Sequence, residues 1–390
     1  MKFILSLTLA FTFFLCQDLQ AQKDPNEGSF KFFSLKLHTG DHLYTGQTLG
    51  DKLSNGYGSI ELRTGWQTKG KHDWEKRYNY PSYGIGWYSG YVGDTEIFGN
   101  PHALFGFITF PVTRGKKNIL QIEPALGLTY NLKPYNPKDN SINDAIGARF
   151  AVYFALHVGG KYRLNREVDL LYGFDMTHFS NGRTVTPNMG LNMAGVSAGF
   201  RYNFNAMQRK VDNSLHPTTI LEARPTIGKY EKAARIREDN ISIYQAIGKV
   251  QNPIDAGTNK HYITSSTVLE YQHKFNTFHG ATVGFDAFID PSAKDTAQNP
   301  LNKNDRASFF PGAHIGYDFM FWKLTVKFQI GFNLSGIGKE LKGNTYIRPA
   351  VRYEFNKRFF DQLGLKTFKG ATADWVEFGV GYKIFRKTSQ

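Results

Sequence analysis

Apolar and polar residues alternate along most of this chain, and a period of two points to β-strands over helices. Leu120, Ile122, Leu126, Leu128 and Tyr130 oppose Gln121, Glu123, Thr129 and Asn131. Phe150, Val152, Phe154, Leu156 and Val158 oppose Tyr153, His157, Lys161 and Arg163, and Trp322 to Phe332 repeats the pattern against Lys323, Thr325, Lys327 and Gln329. So many continuous apolar faces exceed what one water-soluble core can bury. The economical arrangement is an all-β, transmembrane antiparallel β-barrel, with apolar side chains on lipid and charged ones in the lumen. A secreted β-sandwich is the competing class.

Sixteen segments read as strands, near 29–38, 58–68, 81–91, 102–112, 119–131, 149–164, 167–179 and 191–205, then 239–250, 261–275, 279–290, 308–319, 322–333, 344–356, 358–366 and 374–386. Short connections (Asn165-Arg166, Asn276 to Phe278, Met320-Phe321, Asn356-Lys357) fall at alternate ends, as periplasmic turns should. The favoured closure is one barrel of about sixteen strands. The alternative is an eight-stranded barrel followed by a second eight-strand unit. The expected divisions are a signal peptide at 1–21, strands 1–8 within 22–205, a periplasmic connector at 206–238 with a short helix near 229–237, and strands 9–16 within 239–390. Val376, Phe378, Val380, Tyr382 and Ile384 alternate at the C-terminus in the manner of a terminal strand handed to the barrel assembly machinery.

Lys2 before the apolar run Phe3 to Leu15, with cleavage after Ala21, reads as a secretory leader. It contains Cys16, the chain's one cysteine, so the mature chain is expected to use neither disulfides nor thiolate chemistry. The formal charge of +14 is spread over lumen positions and loops. That spread argues against nucleic acid and for a charged lumen or contact with lipopolysaccharide phosphates at the rim. No cofactor and no metal is expected: His157 reads as alone in the lumen, and His38 and His102 lack carboxylates at ligand spacing.

One hairpin carries polar chemistry on its greasy face. Val168, Leu170, Tyr172, Phe174 and Met176 share a face that continues to His178 and Ser180. The returning strand begins its apolar face at Asn192, which lies opposite His178 in a near-symmetric hairpin. Ten steps from Val168 to His178 span about 33 Å, or about 25 Å of height at the usual tilt. The pair therefore stands at the outer edge of the apolar band, where unused polar groups are expensive. A histidine beside a serine is the pairing for acyl transfer, with the imidazole taking the hydroxyl proton and nearby N–H groups holding the oxyanion. Asn181, Gly182 and Asn188 are candidate donors. Interfacial residues that meet lipid headgroups are the plainer reading.

Thr177-His178-Phe179-Ser180-Asn181-Gly182 with Pro187-Asn188-Met189-Gly190-Leu191-Asn192 resembles the outer-membrane lipid A 3-O-deacylase family (PagL-type, acyloxyacyl hydrolases). The resemblance is specific over 177–192. It implies hydrolysis of an ester-linked acyl chain of lipid A at the outside of a barrel in the outer membrane. It makes Ser180 the nucleophile, His178 the base, and Asn181, Gly182 and Asn188 oxyanion candidates. Asn192 stands where the family has an acid. It can orient the imidazole but not offset its charge. Asp144 is a distant substitute, while Asp169 and Asp175 have the wrong parity. A porin-like channel with a degenerate site, and a purely structural barrel, are the other functional classes.

Overall fold

A computed structural model describes residues 31–44, 46, 48–68, 72–113, 117–165, 167–204, 237–295, 308–369 and 372–389. The expected leader and residues 229–236 of the expected helix lie outside these residues; Arg237 opens a strand, so the expected connector at 206–238 ends two residues earlier.

Sixteen strands form. The first eight are β1 (Lys31–His42), β2 (Tyr57–Gln67), β3 (Ser82–Tyr91), β4 (Gly99–Pro111), β5 (Asn118–Leu132), β6 (Ala151–Arg163), β7 (Val168–Ser180) and β8 (Leu191–Asn203). The second eight are β9 (Arg237–Val250), β10 (Tyr262–Lys274), β11 (His279–Ile289), β12 (Phe309–Phe321), β13 (Leu324–Asn333), β14 (Thr345–Glu354), β15 (Phe359–Phe368) and β16 (Thr372–Ser389). Short helices α1 (Asp73–Arg77), α2 (Thr95–Phe98) and α3 (Gly336–Lys342) sit in connections. Among the described residues no helix is long and apolar enough to cross a membrane, which says nothing of strands.

The all-β class and the strand number agree with the sequence pattern, but the favoured single closure does not. β1 pairs with β8 from Phe32↔Asn203 to His42↔Met193, and β9 pairs with β16, so two eight-stranded barrels close separately. Closure is decided by which distant strand satisfies each edge, and the same local alternation serves either count. A second shift is local. Met320 and Phe321 complete β12, and the turn falls at Trp322-Lys323, with Trp322 in the left-handed region at φ 54°.

Turns at one end share a device. The Oδ1 atoms of Asn165, Asn276 and Asn356 each accept the N–H groups two and three residues on. An asparagine that bonds its own following backbone reverses the chain tightly. Most of the longer loops gather at the opposite end, but the connection between β2 and β3, which carries α1, shares the end of these turns.

Apolar side chains point outward, as at Leu37, Phe174, Ile247 and Val380, and polar ones fill the lumens. In the first barrel Glu123 is held by Lys36 at 3.1 Å and by Arg63. In the second, Glu270 takes Lys327 at 3.1 Å and Arg352 at 3.0 Å. Eight strands leave an interior just wide enough for side chains, and these are buried and paired. The wide lumen that one sixteen-stranded closure would enclose is not formed. Nor is His157 alone: its Nδ1 lies 2.7 Å from Asp175, which also meets His38 at 3.2 Å. Sequence spacing misses this because the three residues come from β1, β6 and β7. Among the described residues no group of three or more His, Cys, Asp and Glu is placed to hold a metal.

Candidate functional site

β7 and β8 set the geometry. Their ladder runs from Val168↔Tyr202 to Phe179↔Leu191 and pairs His178 with Asn192. On β7, Asp169, Asp175, Thr177 and Phe179 are buried inward, whereas Phe174 and Met176 are exposed outward. His178 shares the parity of Phe174 and Met176 and projects from the outer face, two residues before the strand ends.

His178 Nδ1 lies 2.6 Å from Asn192 Oδ1. An amide oxygen only accepts, so Nδ1 carries the proton of a neutral ring and Nε2 is left with its lone pair. Gly190, at φ +78°, packs under the ring; a Cβ there would stand 2.9 Å from His178 Cε1. A side chain at that position would be strained by its backbone and would displace the imidazole.

Ser180 is only 7% exposed. It lies under loop 181–190, not open on the barrel wall. Its Oγ accepts from Asn188 Nδ2 at 2.8 Å and from the Gly182 N–H at 3.2 Å. Asn188 is oriented from its other end, where Oδ1 takes the Asn181 N–H at 3.1 Å. The Asn181 side chain closes the loop on itself: Nδ2 donates to Val185 O at 2.9 Å. The structure therefore brings His178 to Asn192, and Ser180 to Asn188 and Gly182. It forms no hydrogen bond between His178 and Ser180. Both hydrogen bonds to Oγ use it as an acceptor, so the hydroxyl proton remains available to a base. Catalytic hydrogen bonds are often long before substrate binds.

Asp144 does not reach the imidazole. Its carboxylate accepts the Tyr44 hydroxyl at 2.6 Å, and its backbone oxygen takes the Met189 N–H at 3.1 Å. Burial first, and then this carboxylate, push the Tyr44 hydroxyl above its ordinary value. Asp144 braces the loop as scaffold.

Sequence reasoning missed Arg183. It follows Gly182 and reaches Asp290 and Asp374 of the second barrel at 2.9 and 2.8 Å. No local signal marks such a pairing, because its partners lie more than a hundred residues away in the chain.

Comparison with known proteins gives two family matches. The model described as "Lipid A 3-O-deacylase (PagL)" covers residues 59–201, and "Acyloxyacyl hydrolase, C-terminal domain" covers 239–387. No curated protein matches significantly. Among solved structures, Neisserial surface protein A is 12% identical at TM-score 0.31, covering 46% of this chain and all of its own. A mutant form of the Rh. blastica porin is 12% identical at TM-score 0.21, covering 91% of this chain and 99% of its own. The P. putida toluene transporter TodX is 12% identical at TM-score 0.17, covering 94% and 92%. Likenesses this weak carry no argument.

Proposed function

This chain belongs to the PagL-type lipid A 3-O-deacylase family of ester hydrolases, and from that premise we propose that it removes an ester-linked acyl chain from lipid A by a Ser180–His178 mechanism. The supporting observation is the hydrogen bond from His178 Nδ1 to Asn192 Oδ1, which makes Nε2 the basic nitrogen on the face that carries Ser180. In this reading Nε2 takes the Ser180 proton as Oγ attacks the ester carbonyl. The C–O bond to the sugar then breaks, and His178 returns the proton to the leaving hydroxyl. Water repeats the sequence on the acyl-serine and releases the fatty acid. Asn188 Nδ2 and the Gly182 N–H hold the serine oxygen in place. The negative charge of the tetrahedral intermediate falls on the former carbonyl oxygen, which these two donors take once Oγ has bonded to carbon.

The same reading places both barrels in the outer membrane, inserted by the barrel assembly machinery. Their outward apolar bands meet lipid, and the long loops face the exterior. Lipopolysaccharide is then the substrate at hand, at the height of His178. The porin-like alternative needs a wide lumen, and each interior is filled by buried side chains, ion-paired around Glu123 in one and Glu270 in the other.

The test is purified full-length protein incubated with lipid A, with the released fatty acid identified by mass spectrometry. Release by the wild type and none by Ser180→Ala or His178→Ala supports the mechanism. Equal release by all three ends it.

A further inference from the structure

The loop after Ser180 is gripped from outside its own barrel. Arg183, at φ +61°, turns its side chain to the rim of the second barrel. Its Nη2 meets Asp290 Oδ2 at 2.9 Å and Asp374 Oδ1 at 2.8 Å, Nη1 meets Ser292 Oγ at 3.2 Å, and Nε donates to the Asp374 carbonyl at 3.2 Å. Both carboxylates are fully buried and are shared with Lys342, at 2.6 and 3.0 Å. The main chain is held as well. Gln251 N donates to Arg183 O at 2.9 Å, and Gln251 Oε1 accepts from Thr186 N at 2.7 Å. Gly182, at φ +59°, lies so close to β16 that a Cβ would be 2.7 Å from Val376 Cγ2.

At their other end the barrels touch differently. There Trp74 packs on Phe321 and Tyr78 on Phe278, and the Tyr78 hydroxyl donates to the Met320 carbonyl at 3.2 Å, an aromatic contact with a neutral hydrogen bond and no ion pair between carboxylate and guanidinium. Adhesion alone would be served by such contacts. A largely desolvated arginine whose three nitrogens reach four acceptors instead fixes direction. What it fixes is the segment bounded by Gly182 and Asn188, the two residues whose N–H groups meet Ser180 Oγ.

We infer that Arg183 is a positioning residue for Ser180, and that the buried Asp290–Asp374 pair of the second barrel is its receptor. The second barrel then completes the site without contributing a reacting group, by holding the Gly182 N–H and the Asn188 amide on the serine oxygen. This rests on the hydrolase reading of Ser180.

The experiment uses the full chain in detergent micelles. It compares wild type, Arg183→Ala, Arg183→Lys, Thr186→Val and Ser180→Ala for hydrolysis of a p-nitrophenyl ester and of lipid A, and for hydrogen exchange in peptides spanning 181–190. Heat-modifiable gel migration reports assembly. Misplaced donors cost about 100-fold, so Arg183→Ala should lower kcat by about that factor and leave KM within about twofold. Exchange at 181–190 should rise, and Arg183→Lys should recover part of both. If Arg183→Ala does not assemble, Thr186→Val keeps every ion pair, removes only the hydroxyl's bonds to Gln251 Oε1 at 3.1 Å and Asn252 O at 3.2 Å, and should show the same losses on a smaller scale. Unchanged exchange in the assembled variants overturns the clamp. Faster exchange with unchanged kcat overturns the positioning role. Undiminished hydrolysis by Ser180→Ala overturns the hydrolase reading itself, and is recognised because it does not involve residue 183.

Discussion

The two barrels solve the same packing problem and differ at one hairpin. Each closes eight strands, each fills its lumen with paired charges, and each ties a lumen histidine to an aspartate at 2.7 Å: His157 to Asp175, and His314 to Asp286. Their last hairpins diverge. On β7–β8 the outward positions near the loop end hold His178, Ser180 and Asn192, followed by loop 181–190. On β15–β16 the outward residues are Leu363, Val376 and Phe378, and the connection is 369–371. Thr367, two residues after Leu365, spends its hydroxyl on Ile347: it accepts that N–H at 2.7 Å and donates to that carbonyl at 3.0 Å. Closing a barrel therefore asks nothing of this outer face. The polar set on the first barrel is surplus to folding, which is why it reads as chemistry.

The sharpest way to break that contrast is to remove each hydroxyl in turn. Ser180→Ala should reduce fatty-acid release by at least about a thousandfold, as loss of a nucleophile does elsewhere. Thr367→Val should leave release unchanged and show only as a lower melting temperature. If Thr367→Val also stops release with both barrels assembled, the division of labour is wrong.

Next in size are the lumens. Breaking a buried ion pair by removing one partner costs about 3–5 kcal/mol. Glu123→Leu removes one of the two carboxylates that Lys36 and Arg63 share, leaving Glu61, and Glu270→Leu removes the carboxylate of Arg352 and one of the two at Lys327, leaving Asp318. Both should lower the unfolding midpoint in denaturant. Their activities should separate: Glu123→Leu should lose hydrolysis as the first barrel unfolds. With the second barrel unfolded, Glu270→Leu should fall only to the level of Arg183→Ala. Identical activity curves for the two variants would mean the barrels unfold as one unit.

The alternation at Phe174, Met176 and His178 made the strand and its outward face legible, because parity is a local property. The opposition of His178 and Asn192 followed from hairpin symmetry and is the register found. Closure was not legible. The β1–β8 ladder joins residues such as Phe32 and Asn203, and nothing local to either says where the edge is met. For the same reason the lumen partners of His157 and His38 stayed hidden. The site was read only in part. Sequence proximity put Ser180 beside His178, but the folded loop gives its oxygen to Asn188 and Gly182, and the arginine that steadies this loop answers to a different barrel.

A smaller effect concerns the third member of the site. Asn192 orients the imidazole but cannot offset the charge it acquires during attack, whereas aspartate does both. Asn192→Asp should raise kcat on lipid A by about tenfold, well short of what a lost base costs. A fall in kcat would show that the amide's neutrality matters at this face, where an unpaired carboxylate meets lipid.

The smallest expected effect is on pH, and it probes the joint between the barrels without a mutation. Burial alone would raise the Asp290 carboxyl, but Lys342 and Arg183 beside it outweigh burial and hold it below the ordinary aspartate value. The other groups facing it are Asp374, which opposes that lowering, Lys366, paired to Asp374 at 3.0 Å, and Ser292, whose N–H and hydroxyl both donate to Oδ1 at 3.0 and 2.5 Å. A carboxyl whose folded value is depressed adds stability that is fully present above its unfolded value, about 3.9. That stability is lost as pH falls through the lower, folded value. Hydrogen exchange of 181–190, corrected for the intrinsic pH dependence of exchange, should therefore stay flat from neutrality to about pH 4 and rise only below that. In Arg183→Ala the same peptides should exchange fast throughout, because the contact that protonation would loosen is already gone. Protection lost well above pH 4 in the wild type would mean that a group other than Asp290 governs the grip on the loop.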